Sequence, residues 1–548
     1  MLVEAERNAM KRFFPSSSDE SGDEQAGHSG VKRHCSPTQP VSASQAVEPQ
    51  SSLSGGSCAV ISQGSLLGPE GAAIASSSGA SASQAVDQDV DWVDFLKEKT
   101  ASRRHELGQQ KRPLVMHTLF SGQASPEQVC SYLDMSTTLA VAAEAKPHSR
   151  QFCFQNGLAP SGHYYTDVEP LASLGKGPCC IHSGAHCFVP REKADLLVAG
   201  FPCTPFSFAR SGSRDEESVR QHHDFKKFVW TVQYILRTKP RMFLLENVPG
   251  FAGRDAELRD SGGHSFYEEL KERFEAEGYA MDNVFLALEP WIQAGSTRLY
   301  IFGAEASLGY DTLCTDASNM ASQLQRFRTS ASCPKPWRSS LLKRGSSEWL
   351  QAEACWLSGT GRSAKDDPAK HQTEDGWQQQ CARMRARWQE LGFSWHAAEP
   401  WSKPLPGMAT PELVGIPRPV PERKAEILNL GVLWSMEQRG LQELTASNVL
   451  AATRDLICNT TQNPKRNPFS RGVRRLCRNS RVYSYEDDRL LVPSELYRIY
   501  GWKEPNLSGL SMAKCVDMLG DSMALPTLGV ALVSLIFTAG HAIPDMWP

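Results

Sequence analysis

A chain of 548 residues exceeds the roughly 250 to 300 residues at which a single core stops growing, so more than one folded lobe is expected. Its charge is nearly balanced, 58 Lys and Arg against 61 Asp and Glu, which excludes a globally basic nucleic-acid binder; such a footprint has to be local. Fifteen cysteines without regular spacing, and no apolar stretch behind a basic start, argue against a disulfide-stapled secreted scaffold and for reduced thiols in an intracellular protein.

In chain order, Met10, Phe13 and Phe14 in RNAMKRFFP have the spacing of short helical plugs that bind sliding clamps, with Arg7 where a Gln is usual. An ordinary amphipathic terminal turn is the preferred reading of so short a match. Residues 15 to 90 are dominated by Ser, Gly, Ala and Gln, too little apolar surface to offset the entropy of ordering, and a disordered tail is drawn over 1–100. From about residue 112 short apolar runs alternate with helical patterns. PLVMHTLF, TTLAVAAE, ADLLVAGF, RMFLLENV, NVFLALE and RLYIFG read as strands, with helices at Phe225 to Arg237 and Phe266 to Glu277. That alternation predicts a doubly wound α/β sheet of Rossmann-like type in a domain over 101–303.

After Gly303 the alternation stops. A Trp- and Pro-rich stretch with helical patterns at Trp377 to Leu391 and Glu422 to Arg439 reads as a smaller domain inserted over 304–480, the chain returning to the first domain over 481–548. The insert ends in KRNPFSRGVRRLCRNSR, where Lys465, Arg466, Arg471, Arg474, Arg475 and Arg478 stand without an acid. This is the local basic patch that phosphates would need; a solvated charged loop is the plain alternative. The apolar run Thr527 to Ala539 is shorter than the roughly 20 residues that span a bilayer, so a buried helix and no membrane partner are expected.

Ligands of open α/β sheets sit beyond the C-terminal ends of the strands. Two strand ends carry chemistry there: FPCTPFS holds Cys203 between two prolines, and the next strand ends in Glu246-Asn247-Val248-Pro249. A lone cysteine after a strand is more often a small buried hydrophobe. Paired in this order, the two segments resemble the Pro-Cys and Glu-Asn-Val motifs of the S-adenosylmethionine-dependent C5 cytosine-specific DNA methyltransferase family, over about residues 112–303 and 480–540.

The resemblance implies a methyltransferase that attacks carbon 6 of a flipped-out cytosine with Cys203 while Glu246 faces the base edge, Asn247 fixes the loop and Arg298 contacts the base carbonyl. For the donor it implies Phe120, Ser121 and Gly122 in the first motif, Glu144 on the ribose hydroxyls, Asp167 and Val168 near the adenine, Pro202, and a closing loop with Asp521 and Ser522. Ser207 would support the cysteine loop or a phosphate. The chain departs from the family at Gln123-Ala124-Ser125, where glycine is usual, at Thr118 in place of an acid, at Ala294 and Ser296 in the Gln-x-Arg-x-Arg segment, and at Asp521 in place of Asn. DNA is the implied partner, inside a nucleus in a cell that has one, and the inserted region is the implied target-recognition domain. Transfer RNA as substrate, and a catalytically silent DNA-binding scaffold, are the alternatives. Oligomeric state stays open. Cys179, Cys180, His182, His186 and Cys187 have zinc-binding residue types, but their spacing matches no common finger; they are read as a loop beside the donor pocket, with no metal.

Overall fold

The Val-, Leu-, Ile- and Phe-rich runs of the first half pair side by side because the central ones are apolar on both faces and can be buried only between two helical layers. In the computed structural model the strands are β1 Leu114–Leu119, β2 Thr137–Ala143, β3 His163–Tyr165, β4 Lys176–Pro178, β5 His186–Phe188, β6 Leu196–Ala199, β7 Met242–Asn247, β8 Tyr279–Ala287 and β9 Thr297–Glu305. The residues described are 91–207, 216–253, 265–292, 295–308, 312–331, 337–359, 374–464, 467–474 and 476–547. Met10, Phe13, Phe14, Ala294, Lys465, Arg466 and Arg475 lie outside them.

Seven strands form the main sheet in the order β3-β2-β1-β6-β7-β9-β8. Neighbours from β3 to β7 run parallel, and β9 runs antiparallel to both β7 and β8. This is the expected doubly wound sheet, and its order reverses between β1 and β6, the switch point where ligands of such sheets bind. All six predicted strands are in it. The seventh, β3, escapes the pattern because three residues are too few to display one, although Tyr164 and Tyr165 are fully buried. At Gly303 a β-carbon would lie 2.0 Å from the Phe243 ring, so only glycine lets that ring cross β9.

Three expected boundaries move. The tail drawn to residue 100 is too long: Trp92–Lys99 is a helix whose Trp92, Val93, Phe95 and Leu96 are buried, an amphipathic stripe overlooked beside a low-complexity segment. The helix Leu313–Ala331 lies beyond the line drawn at 303 yet packs on β8 and on the C-terminal helix Leu525–Ala539. Its Gln325 accepts from the Trp291 indole and donates to the Ala287 carbonyl, and Ser318 donates to Asp282. A second sheet, β11 Phe469–Ser470, β10 Ile457–Asn459, β12 Val482–Ser484 and β13 Arg489–Leu490 in that order, crosses the line drawn at 480.

The helix Leu525–Ala539 is apolar on every side because it is covered on every side: all of its residues except Thr538 are buried. Together with the preceding helix it is long and apolar enough to cross a membrane by length and composition, but it lies inside the core. From the second sheet the chain returns through Arg489, whose guanidinium meets Glu495 at 2.7 Å with both side chains out of solvent. Glu495 also accepts the Leu342 and Val492 N–H groups. Removing either partner would leave an uncompensated buried charge, at a cost of about 3 to 5 kcal/mol.

Candidate active site

The parallel strands β6 and β7 are in register, Ala199 beside Leu245, so the segments that follow them emerge at one edge. Pro202 and Cys203, both half-buried, lie in the first, and a short 3₁₀ turn Thr204–Phe206 follows. The Phe206 N–H donates to the Cys203 carbonyl at 3.0 Å. Glu246 and Asn247 end β7. The buried Asn247 amide donates to the Phe201 carbonyl at 3.2 Å, while its oxygen accepts the Val248 N–H at 2.9 Å. One side chain therefore ties the carboxylate loop to the cysteine loop.

Phe201 and Phe206 flank the cysteine and bury their rings among Phe225, Phe228, Phe251 and Phe266, with centroids 4.8 to 6.1 Å apart along the contacts from Phe206. Such contacts add to the area they bury and hold the loop from below. The sequence reading missed this cluster; the density of Phe around both motifs was the available signal. Arg298 on β9 places Nε 2.7 Å from Glu246 Oε1, both side chains mostly buried. A β-carbon on Gly200 would lie 3.5 Å from Glu246 Oε2, so the carboxylate overhangs the strand end that leads to Cys203. Arg298, expected on a base carbonyl, is paired with the Glu246 carboxylate. Ser207, half-buried, closes the described part of the loop.

Across the switch point the residues expected on the donor stand at the ends of β1, β2 and β3. Phe120 and Gly122 both take left-handed backbone angles. The Ser121 N–H and hydroxyl both reach the Ala143 carbonyl. Glu144 is buried, with one carboxylate oxygen accepting the Gly122 N–H at 2.8 Å and the other the Lys146 N–H at 2.7 Å. Burial raises its pKa, against the pull of those two N–H groups. Asp167 is exposed and accepts the Glu169 N–H at 3.2 Å, and Val168 is buried beside it.

The departures from the family pattern have partners. Thr118, which stands in place of an acid, donates at 2.9 Å to the buried Glu127 of the following helix; desolvation pushes that carboxyl up to about 7. Ala124 adopts φ 59°, a left-handed angle that glycine would take more easily. Asp521 contributes no unmatched charge, because Lys146 Nζ lies at 2.5 Å and Arg478 Nε at 2.6 Å. Ser522 caps the end of the helix Met512–Asp521, its hydroxyl donating to the Leu519 carbonyl. Arg478, expected on nucleic acid, is engaged by that aspartate. A β-carbon on Gly520 would meet the Arg478 backbone at 2.5 Å, so the basic segment and the closing loop are in direct contact. Arg474 is exposed and donates to the Asn467 carbonyl; Arg471 is exposed.

A thiol and a carboxylate thus stand on one side of the switch point of a Rossmann-like sheet, with a glycine turn and a strand-end acid on the other. Residues 188–532 match the family model described as C-5 cytosine-specific DNA methylase, and the chain belongs to that family. Among similar proteins, the type II methyltransferase M.NgoBV of Neisseria gonorrhoeae is 29% identical over 194 residues, 34% of this chain and 40% of the relative. M.Bsp6I of Bacillus sp. (strain RFL6) is 34% identical over 113 residues, 20% of this chain and 32% of the relative. This chain thus spans well under half the length of the curated relatives it matches. Among solved structures, the Dnmt2 methyltransferase of S. pombe aligns with 77% of this chain and 98% of its own at 12% identity and a TM-score of 0.38. The Entamoeba histolytica methyltransferase EhMeth aligns over the same shares at 11% and 0.37. The fold is read from the strand order, not from these scores.

Proposed function

We propose that this chain transfers a methyl group to carbon 5 of cytosine in DNA, with Cys203 as nucleophile. The observation that carries the reading is the tie from Asn247 to the Phe201 carbonyl, which holds the cysteine and carboxylate loops at adjacent strand ends. Carbon 5 of cytosine is a poor nucleophile until a thiolate adds at carbon 6. The Cys203 sulfur forms that bond, and Glu246, oriented by Arg298, holds a proton at N3 as charge develops on the ring. When the carbon 5 proton leaves after methylation, the C–S bond breaks and the ring is restored.

S-adenosylmethionine, when bound, supplies an electrophilic methyl group. The donor side fits such a group: the left-handed turn at Phe120 and Gly122 opens at the switch point, each Glu144 oxygen keeps a lone pair beyond its backbone N–H, and both amide atoms of the buried Gln123 lack a hydrogen-bond partner among the described residues. Phe120 would pack on the donor, Glu144 would accept from its ribose, Asp167 and Val168 would border the adenine, and the Asp521–Ser522 loop would close over it. The target atom is inside a duplex stack, so the base must swing out, while the second sheet, the helices around it and the exposed Arg471 and Arg474 grip the backbone as the target-recognition region.

Duplex DNA carrying 5-fluorocytosine, incubated with S-adenosylmethionine, tests this, because after methyl transfer carbon 5 bears fluorine in place of the proton that must leave and the adduct persists. Wild type should form a covalent complex that Cys203→Ala does not. An adduct with transfer RNA alone overturns the substrate. No adduct with either, together with no S-adenosylmethionine binding by calorimetry, overturns the activity and leaves the silent scaffold.

A further inference from the structure

We propose that His163, Cys179, His182 and Cys187 bind one zinc ion that pins the β4–β5 hairpin to the edge strand β3. The four ligand atoms all lie within 4.8 Å of one another. Cys179 Sγ is 3.3 Å from His182 Nδ1 and 3.8 Å from His163 Nδ1, and Cys187 Sγ is 3.4 Å from His182 Nδ1. A tetrahedral zinc with Zn–S near 2.3 Å and Zn–N near 2.0 Å requires ligand-to-ligand separations of about 3.3 to 3.8 Å. Two thiolates and two imidazoles form a donor set that zinc prefers over magnesium or calcium, and two thiolates balance its charge. On binding, Cys179 and Cys187 each release a proton and the two imidazoles coordinate as neutral ligands.

The backbone presents these atoms from three separate places. His163 opens β3, whose outer edge takes the hairpin through the Tyr165–Cys179 bridge and the Cys180 N–H to the Tyr164 carbonyl at 2.7 Å. Cys179 and His182 sit in the tight turn between β4 and β5, closed by Gly184 N–H to the Cys179 carbonyl at 2.8 Å. Cys187 returns on β5 opposite Gly177. Two three-residue strands with Phe188 69% exposed bury little apolar surface, and so short a hairpin is marginal by itself. The metal supplies the missing fastening, and with four protein ligands it is structural, keeping no open position for catalysis. It also fixes the start of β3, four residues before Asp167.

The site departs from the expectation of no metal. Its fourth ligand, His163, lies on a strand ahead of the PCCIHSGAHC segment, so no finger spacing exists to find, while Cys180 and His186 stay outside the cluster.

Elemental analysis of the full chain, purified with zinc and without chelators, should find about one zinc per molecule. Cys179→Ser and Cys187→Ser should each lower it roughly tenfold or more, while Cys180→Ser and His186→Ala keep it. Cobalt exchanged into wild type should give thiolate charge-transfer and tetrahedral d–d absorption. His163→Cys, which keeps a ligand, should retain metal and strengthen the charge-transfer band, whereas His163→Ala should lose it; that contrast separates ligation from simple misfolding. A wild type that holds no zinc and takes up no cobalt overturns the proposal, as does loss of metal from Cys180→Ser equal to that from Cys179→Ser. None of these readouts depends on methyl transfer.

Discussion

The two sides of the switch point treat the family's motifs differently. At the ends of β6 and β7 the family's residue types are all present, Cys203, Glu246 and Asn247, and they are held by an amide bridge, the Arg298–Glu246 ion pair and a bed of phenylalanine rings. At the ends of β1 and β2, and in the closing loop, residue types depart from the family pattern and have partners of their own. Thr118 leans on Glu127, and Asp521 is matched by Lys146 and Arg478. A covalent step demands one sulfur at one point, so substitution there is ruinous. Donor binding is spread over many contacts, each worth about 1 kcal/mol, and can be rebuilt from other pieces.

The largest effect should come from breaking the target side at its sulfur. Cys203→Ala should cut methyl transfer by roughly 10⁴-fold or more in a single-turnover assay while donor affinity by calorimetry is unchanged; retained transfer would remove the cysteine from the chemistry. On the donor side, Glu127 should tie stability to pH. Its carboxyl is raised from 4.5 to about 7 by burial, so the folded state holds that proton more tightly than the unfolded chain. The associated stability is complete below the unfolded value and is lost as pH rises through about 7, up to about 3 kcal/mol. Glu127→Gln should flatten that part of the melting-temperature profile, and an unchanged profile would mean the carboxyl is solvated.

Asn247→Ala sharpens the contrast from the target side. It unties the two loops and should cost about 1 to 3 kcal/mol in denaturant titrations, with a loss of roughly 10²-fold in kcat as the loops lose alignment and little change in donor affinity. Asp521→Asn restores the family's residue type but strips Lys146 and Arg478 of their shared anion. These partly exposed pairs should change stability by less than about 1 kcal/mol, with any change in activity confined to the KM for the donor. The smallest shift belongs to Ala124→Gly, which relieves a left-handed alanine at φ 59° and should raise stability by about 0.5 to 1 kcal/mol in thermal melts.

Strands of six residues or more that are largely buried announce themselves as apolar runs, and β1, β2, β7 and β9 were legible for that reason; the edge strand β8, whose burial alternates, showed through its NVFLALE run, and β6, only four residues, was legible because all four are apolar. Cys203 and Glu246 were legible because strand ends in such a sheet are where ligands bind, whatever the helices do. By contrast β3, the hairpin and the helix Leu313–Ala331 were not legible: the first two are too short to show a period, and the third lies across a domain line that only its contacts with β8 redraw. The charge partners of Asp521 come from positions 146 and 478, and His163 meets Cys187 across a folded edge.

What the order of residues determined by itself was therefore the sheet, its loaded edge and the family. Those depend on local apolar patterning and on residue types within single loops. Tertiary structure alone decided which cation neutralises which acid, where Arg298 points, and which histidine completes a ring of four donors. Such pairings join segments far apart along the chain, and no local spacing encodes a distance that exists only after folding.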